Sequence, residues 1–201
     1  MKMIPKRYAC SLKDAIPNSD RMTQNYTFVP LSALINRYDA EIIQNNLNDF
    51  VPYLNDETDQ FISQKAIAME RRDLSRTYLA ISLMDGKILG YVTIGMKCMR
   101  VPEENLLSNK VLRKMNIEED TGVTQAYLFG QLARSKYSSE GFGDILIDYA
   151  LKLFREAKRM VGCRMVRLDC SDDLIQYYEK HGFKQISKNM KKNLNQMMIF
   201  I

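Results

Sequence analysis

The sequence of 201 residues predicts an α/β fold of the α+β type, with a mixed, mostly antiparallel central sheet of about six to seven strands flanked by helices. Three observations predict this fold. Two apolar runs are joined by Asp85-Gly86, a pair that favours a tight hairpin turn. A glycine-containing loop at 138–143 stands between an extended apolar run and a long amphipathic stretch, which gives the order strand, turn, helix. Two short apolar runs then close the chain, at 183–187 and 196–201.

The spacing of apolar residues places the other elements in chain order. Residues 1–25 are polar and contain Pro5 and Pro17, which predicts an irregular N-terminal arm, and residues 26–201 are expected to form a single domain. Apolar residues at every third or fourth position predict helices, and denser or alternating runs predict strands. The predicted elements are a strand at 26–29, a helical stretch at 31–54 interrupted around Asn45-Asn46, a helix at 57–73, hairpin strands at 77–84 and 87–96, a short helix near 109–115, a strand at 126–133, a helix that ends at Gly162, a strand at 164–170 and a short helix at 172–181 that ends at Gly182.

The composition is that of an ordinary globular protein and excludes several classes. Apolar residues make up 46% of the chain and charged residues 26%. The longest apolar runs are far shorter than the roughly 18 residues that span a bilayer, and the N-terminus lacks the apolar core of a signal peptide. We therefore expect a cytoplasmic protein without a membrane partner. Four cysteines and one histidine stand at spacings typical of neither a zinc site nor a disulfide framework, which predicts reduced thiols and no metal.

The net charge of +5 is concentrated in the second half of the chain. Residues 152–167 carry six lysines and arginines against one glutamate, and residues 184–192 carry four lysines without an acidic residue. This bias suits a phosphate-rich ligand or a nucleic-acid surface, and it equally suits a solvated helix face with a basic tail.

Residues 138–143, Ser-Ser-Glu-Gly-Phe-Gly, form the most informative motif. A strand, a glycine turn and a helix in this order direct free backbone N–H groups and the positive end of a helix dipole toward one spot, which suits a pyrophosphate. Gly141 and Gly143 let the backbone approach phosphate oxygens without an intervening Cβ. The Gly-Lys-Ser/Thr of a P-loop is missing, and Leu146 stands where a dinucleotide-binding motif has its third glycine.

A second motif follows the next predicted strand, Ser171-Asp-Asp-Leu-Ile-Gln-Tyr-Tyr-Glu-Lys-His-Gly-Phe183. Together the two motifs resemble the GNAT superfamily of acetyl-CoA-dependent N-acetyltransferases, in which an R/Q-x-x-G-x-G/A loop precedes an N-x-x-A-x-x-x-Y-E-K-x-G-F stretch. The resemblance covers residues 77–183. Four shorter stretches are similar to the toxin branch of this superfamily, whose members acetylate the α-amine of aminoacyl-tRNA: 55–62, 75–80, 90–94 and 130–133.

The resemblance implies acetyl-CoA as co-substrate, no metal, and roles for individual residues. Backbone groups near the end of the predicted strand would pair with the pantetheine arm, and the loop would hold the pyrophosphate. Tyr178, directly before the Glu-Lys pair, would protonate the departing thiolate. Ser138 stands where the loop usually begins with Arg or Gln, and Ser171 replaces the common asparagine. The implied cofactor-binding residues are Leu132, Ala133, Arg134, Ser138, Ser139, Glu140, Gly141, Phe142, Gly143, Asp144 and Ser171.

The sequence does not single out a general base. His181 stands beside the glycine that ends its helix, and Glu118, Glu119 and Asp120 form a charge run typical of a solvated surface. A lysine ε-amine has a pKa of about 10.4 and needs help to lose its proton, whereas an α-amine, at about 7.7, is partly neutral already. A missing base therefore favours an α-amine as acceptor.

The expected function is N-acetyl transfer from acetyl-CoA to a primary amine by direct attack. The acceptor would be a small molecule, a peptide or an aminoacyl-tRNA. One alternative is a toxin that acetylates aminoacyl-tRNA and has an antitoxin partner. The other is a non-catalytic acyl-CoA-binding module. The apolar C-terminal strand would suit a homodimer.

Overall fold

The computed structural model describes residues 25–54, 56–101 and 104–201, so the arm expected at 1–25 lies outside the described residues except for Asn25. The strands are β1 (Tyr26–Pro30), β2 (Arg76–Ser82), β3 (Ile88–Arg100), β4 (Val123–Arg134), β5 (Met165–Cys170), β6 (Lys184–Asn189) and β7 (Leu194–Phe200). They form one sheet in the order β1-β2-β3-β4-β5-β7-β6. The expected α+β fold with a central sheet of six to seven strands is confirmed.

The strand pairing is mixed and mostly antiparallel, as expected. β1 pairs antiparallel with β2, and β5 and β6 both pair antiparallel with β7. β4 and β5 run parallel, with Tyr127 opposite Val166 and Leu128 opposite Arg167. Among the described residues these are the two positions in register between β4 and β5, although each strand continues for several residues beyond them.

Helices flank the sheet and end close to where the glycines predict. They are α1 (Leu31–Arg37), α2 (Ala40–Asn48), α3 (Asp56–Gln60), α4 (Ala66–Arg71), α5 (Asn109–Leu112), α6 (Phe142–Val161) and α7 (Ile175–Lys180). A π-helical turn, Phe61–Lys65, joins α3 to α4, and a 3₁₀ turn, Asp172–Leu174, precedes α7. Gly162 and Gly182 have left-handed φ angles of 80° and 85°, which confirms both predicted helix ends.

The helix interruption expected around Asn45-Asn46 is wrong, because the chain breaks at Tyr38 and Asp39. Both residues are extended, with ψ angles of 163° and 145°. Tyr38 is buried, which anchors the break in the core. Asn46 fits inside α2 because its side-chain Nδ2 donates to the Ile42 carbonyl at 2.7 Å. Its side chain therefore bonds to the backbone within the helix instead of ending it.

The π-helical turn between α3 and α4 is stabilised by side-chain donors. A π turn moves backbone hydrogen bonds to the fifth residue and leaves carbonyls without their usual partner. The Tyr91 hydroxyl donates to the Thr58 carbonyl and the Ser63 hydroxyl to the Asp59 carbonyl, both at 2.6 Å. Burial raises the pKa of Tyr91, so its hydroxyl remains a proton donor.

The described chain divides into two compact units. One holds the residues up to Thr93 together with Gln131–Leu146, and the other holds Ile94–Gly130 and Ile147–Ile201. The single-domain expectation stays a prediction. In the first unit the buried core includes Leu31, Leu34, Ile43, Leu47, Ile62, Leu79, Ile81 and Tyr91. In the second unit a methionine-rich cluster contains Met99, Met115, Met165, Met198 and Ile186. Three residues from the segment between β3 and β4 pack against it: Leu107, Val111 and Leu112.

Candidate functional site

The loop that leads into α6 is fixed by Ser135, just beyond the end of β4. Ser135 is fully buried, and its N–H donates to the Leu89 carbonyl at 2.8 Å. Its carbonyl accepts both the N–H (3.1 Å) and the hydroxyl (2.6 Å) of Ser138. Its own hydroxyl oxygen accepts the N–H of Tyr137 at 3.2 Å. The Ser138 side chain therefore shapes the loop, where the GNAT pattern places an Arg or Gln.

The main-chain N–H groups at the tip of the loop differ in what they bond. The N–H of Phe142 donates to the Ser139 carbonyl at 3.3 Å, and that of Asp144 donates to the Gly141 carbonyl at 3.0 Å. Within the part of the chain that the structure describes, the N–H groups of Ser139, Glu140 and Gly141 have no hydrogen-bond acceptor. These three residues are exposed and directly precede the 20-residue helix α6. Free N–H groups at the positive end of a helix suit an anion.

Gly141 is required by its backbone conformation. Its φ angle is 76°, in the left-handed region that side chains disfavour, and an added Cβ would meet no atom within 4 Å. Gly143 lies inside the first turn of α6 and is buried. The first turn also carries the carboxylate of Asp144, so an anion bound here would rely on backbone donors rather than on basic side chains.

The end of β4 lies close against β3. A Cβ on Gly90 would lie 2.8 Å from the Ala133 carbonyl oxygen and 2.8 Å from Leu146 Cδ1, so a larger residue does not fit without displacement. The N–H of Gln131 donates to the Thr93 hydroxyl oxygen at 2.6 Å. These contacts hold the strand that carries three of the predicted cofactor-binding residues.

Leu132 and Arg134 alternate with residues that bond β3, so their main-chain groups point to the other edge of β4. That edge is partly occupied at Arg134. Its carbonyl accepts the N–H of Tyr53 at 3.0 Å, and its guanidinium lies 3.4 Å from the centre of the Tyr53 ring. The structure thus places Leu132, Ala133, Arg134 and the loop residues 138–144 in one continuous segment of the first unit.

Tyr178 lies on α7 in the second unit, with 8% of its surface exposed. Its ring makes edge contacts with Tyr177 and Phe183, at 5.5 and 5.7 Å between ring centres. The hydroxyls of two other tyrosines, Tyr91 and Tyr127, donate to backbone carbonyls. Within the described residues the Tyr178 hydroxyl has no such acceptor. The ring is therefore held by the core while the hydroxyl stays available to a ligand.

Burial keeps Tyr178 and Cys170 protonated at neutral pH. It raises the pKa of Tyr178, with a smaller contribution from Cys170, so the phenol stays protonated at neutral pH. It also raises the pKa of the Cys170 thiol to about 11, because a thiolate would be poorly solvated there.

Ser171 lies between β5 and the 3₁₀ turn that leads to α7. Its extended backbone (ψ 165°) starts the turn, and its carbonyl accepts the N–H of Leu174 at 3.2 Å. The next residue, Asp172, bonds Lys188 of β6 (2.7 Å) and Asn195 of β7 (2.7 Å), and these bonds lower its pKa. They attach the start of the α7 segment to the sheet.

The structure also shows an ion pair on β5 that the sequence reasoning did not single out. Arg167 Nη2 donates to both carboxylate oxygens of Asp169, at 2.7 and 3.0 Å. The Arg167 side chain is 5% exposed and that of Asp169 is 30% exposed. The two residues are two apart in a predicted strand, which puts both side chains on one face, but that spacing is too common to single out the pair.

Two of the four titratable residues considered as bases, His181 and Glu118, have contacts within the described residues. The backbone N–H of His181 donates to the Tyr178 carbonyl at 3.0 Å, and the centre of its imidazole ring lies 5.2 Å from that of the Tyr177 ring. A carboxylate oxygen of Glu118 accepts the Thr121 hydroxyl at 2.6 Å. Among the residues that the structure describes, no group of three His, Cys, Asp or Glu side chains could hold a metal ion, and no helix is long and apolar enough to cross a membrane.

Comparison with known families gives one match over most of the chain. The profile of the acetyltransferase (GNAT) family matches residues 41–183. No curated protein matches the chain in sequence.

Solved structures with the same fold include several toxins. A tyrosine-to-phenylalanine mutant of KacT is 18% identical, with a TM-score of 0.67 over 86% of this chain and 94% of the other. AtaT complexed with acetyl-methionyl-tRNAfMet is 18% identical, with a TM-score of 0.66 over 85% and 93%. A tyrosine-to-phenylalanine mutant of AtaT, bound to the C-terminus of the antitoxin AtaR and acetyl-CoA, is 16% identical, with a TM-score of 0.63 over 88% and 94%. At these identities the likeness is one of fold.

Proposed function

The chain belongs to the acetyltransferase (GNAT) family, and from that premise we propose that it transfers an acetyl group from acetyl-CoA to the α-amine of an aminoacyl-tRNA, with Tyr178 as general acid. That the protein is an acetyltransferase follows from its family. Tyr178 is assigned as the general acid because its ring is buried and its hydroxyl has no acceptor among the described residues.

The donor would be held mainly by backbone groups. The N–H groups of Ser139, Glu140 and Gly141 would bind the pyrophosphate, aided by the dipole of α6. The outward main-chain groups of Leu132 and the N–H of Arg134 would pair with the pantetheine amides, since the Arg134 carbonyl accepts the Tyr53 N–H. Ser138 contributes by fixing the loop through its two bonds to the Ser135 carbonyl.

Acetyl transfer requires that the departing sulfur gain a proton and that the attacking amine nitrogen lose one. The amine nitrogen attacks the thioester carbonyl, the carbon–sulfur bond breaks, and the sulfur takes the phenolic proton of Tyr178. The amine nitrogen releases a proton to solvent, and the phenolate recovers one from solvent. Because burial raises the pKa of Tyr178, the phenol is fully protonated when the thiolate forms.

Three features favour aminoacyl-tRNA as the acceptor. KacT and AtaT share this fold, and one AtaT structure holds acetyl-methionyl-tRNAfMet. Four basic side chains on α6 are exposed and suit a phosphate backbone: Lys152, Arg155, Lys158 and Arg159. An α-amine also needs less help to lose its proton than a lysine side chain.

The same likeness suggests a protein partner. An AtaT structure contains part of the antitoxin AtaR, and we extend the proposal to an antitoxin that restrains this enzyme in the cytoplasm. Assembly into a homodimer through the C-terminal strand stays a prediction.

The test uses the purified full chain with acetyl-CoA and four classes of amine: free amino acids, peptides with a free N-terminus, lysine-containing peptides with a blocked N-terminus, and charged tRNA. We expect CoA thiol release with charged tRNA and none with the same tRNA after deacylation. Release with free amino acids or peptides at an equal or higher kcat/KM would contradict the acceptor. Binding of acetyl-CoA without release in any of the four would identify a non-catalytic module.

A further inference from the structure

The ion pair Arg167–Asp169 lies where the pairing of β4 with β5 stops. Leu128 opposite Arg167 is the second of the two positions in register between the strands. Asp169 lies two residues further along β5, opposite Gln196 of β7. The carboxylate is therefore carried beyond the part of β5 that pairs with β4, while β5 still pairs with β7.

The arginine is buried without being fully satisfied. Its side chain is 5% exposed, and its Nε has no hydrogen-bond partner among the described residues. On β7, Met198 lies opposite Arg167 and belongs to the methionine-rich cluster. A buried guanidinium with an unbonded N–H beside apolar side chains is unfavourable for stability, and replacement of such a pair by apolar residues is often neutral or better. A role in function accounts for it more readily.

The carboxylate is the accessible end of the pair. Asp169 is 30% exposed, and both of its oxygens accept the same Arg167 nitrogen. An ionised carboxylate has about four acceptor positions, so the arginine leaves room for a further donor. A cationic or neutral primary amine is a donor of the right kind.

Asp169 and Tyr178 belong to opposite faces of β5. Successive side chains of a strand alternate, so Asp169 points to the face opposite that of Cys170. The charge of Cys170 contributes to the raised pKa of Tyr178, which puts Cys170 on the Tyr178 side. Asp169 therefore lies on the other side of β5 from Tyr178, just past the last residue that pairs with β4.

We propose that Asp169 binds the acceptor α-amine and that Arg167 positions the carboxylate, so that this pair selects amines for acetylation. The proposal rests on the proposed function and names a specificity-determining residue for it. Nothing in the motif that contains Tyr178 requires an acid at this position.

The experiment measures acceptor binding in the absence of turnover. The full chain is saturated with CoA, which carries no acetyl group, and tRNA charged with one amino acid at a time is titrated by filter binding. The comparison ligand is the same charged tRNA after nitrous acid treatment, which replaces the α-amine with a hydroxyl. We expect the wild type to bind the amine form at least about tenfold more tightly.

Asp169→Asn, which keeps the shape and removes the charge, is expected to bind both forms alike with CoA affinity close to wild type. Its thermal midpoint should fall, because the buried Arg167 guanidinium loses its counter-charge. Asp173→Asn removes an exposed carboxylate nearby and should keep the wild-type ratio. Asp169→Glu retains the ion pair and should keep the ratio within about threefold. If Asp169→Asn unfolds, Asp169→Glu still tests the proposal. A folded Asp169→Glu protein that binds the amine and hydroxyl forms equally would overturn it.

An unchanged ratio in Asp169→Asn would overturn the proposal, as would a wild type that binds CoA but does not distinguish amine from hydroxyl in any charged tRNA. A wild type that fails to bind CoA at all would instead contradict the proposed function.

Discussion

At the scale of single residues, the chemistry depends on groups that the fold leaves without partners. The exposed loop N–H groups of Ser139, Glu140 and Gly141 have no acceptor in the described part of the protein. The same holds for the hydroxyl of the buried Tyr178, although most buried polar groups in proteins are bonded. Ser138 is the opposite case, because both its donors bond the Ser135 carbonyl. These residues therefore divide into groups that hold the site and groups that remain free to contact a ligand.

Gly141→Ala should weaken acetyl-CoA binding several-fold while lowering the free energy of unfolding by about 1 kcal/mol. The φ angle of 76° disfavours a side chain, so the loop would relax and turn its N–H groups away from the pyrophosphate. Gly162→Ala is the matched control, since Gly162 has φ 80° and equally open space but lies at the end of α6. Both variants should lose similar stability, and calorimetric titration should show lost affinity for Gly141→Ala alone. Equal affinities would argue against the loop as the pyrophosphate site.

Tyr178 could be proposed from the sequence because a motif surrounds it, whereas the ion pair of Arg167 and Asp169 could not. An arginine and an aspartate two apart in a strand are common, and their meaning here comes from the burial of the arginine and the unbonded Nε. Burial of one charged residue depends on the whole sheet and on the cluster packed against it. Such information is not local in the sequence.

At the scale of elements, α4 and β2 are linked by a buried carboxylate. Glu70 is 4% exposed, and its Oε2 accepts the N–H of Thr77 at 2.8 Å, while Arg76 lies 3.4 Å from its Oε1. Burial raises the pKa of Glu70 above its usual 4.5 despite these bonds. The folded protein therefore binds this proton more tightly than the unfolded chain does.

The stability that this proton provides is fully present below about pH 4.5 and is lost as the pH rises through the higher pKa of the folded state. Glu70→Gln cannot titrate, so its stability relative to the wild type should improve as the pH rises from 4 to 7. Denaturant unfolding at several pH values measures this difference. Glu156→Gln, which removes an exposed carboxylate of α6, should not show the trend. A constant difference for Glu70→Gln would contradict the raised pKa.

Element boundaries show where local patterns succeed and fail. The hairpin, the glycine-ended helices and the closing strands follow from turn chemistry that acts within a few residues, and the structure confirms them. The break between α1 and α2 does not follow from Asn45-Asn46, since Asn46 bonds inside its own helix. The break occurs at Tyr38, whose backbone is extended and whose ring is buried in the core. This is a tertiary effect, which local helix propensity does not predict.

At the scale of the whole molecule, the order of elements is enough to predict the sheet but not the acceptor. The hairpin, the strand–loop–helix unit and the closing strands account for five of the seven strands, and the apolar runs at 26–29 and 164–170 predict the other two. The structure joins all seven in one sheet. The identity of the amine depends on surfaces assembled from distant segments. The net positive charge favours a polyanionic acceptor but does not identify which polyanion is acetylated.

The most direct test of the central claim compares Tyr178→Phe with Tyr177→Phe in an assay of acetyl transfer to charged tRNA. Tyr178→Phe removes one hydroxyl from a ring that the core holds in place, so we expect kcat to fall by about 10²–10⁴ with the acetyl-CoA dissociation constant unchanged. Tyr177→Phe makes the same change on the neighbouring ring and should stay within about threefold of the wild type. A Tyr178→Phe enzyme with wild-type kcat, or an equal loss in Tyr177→Phe, would contradict Tyr178 as the general acid.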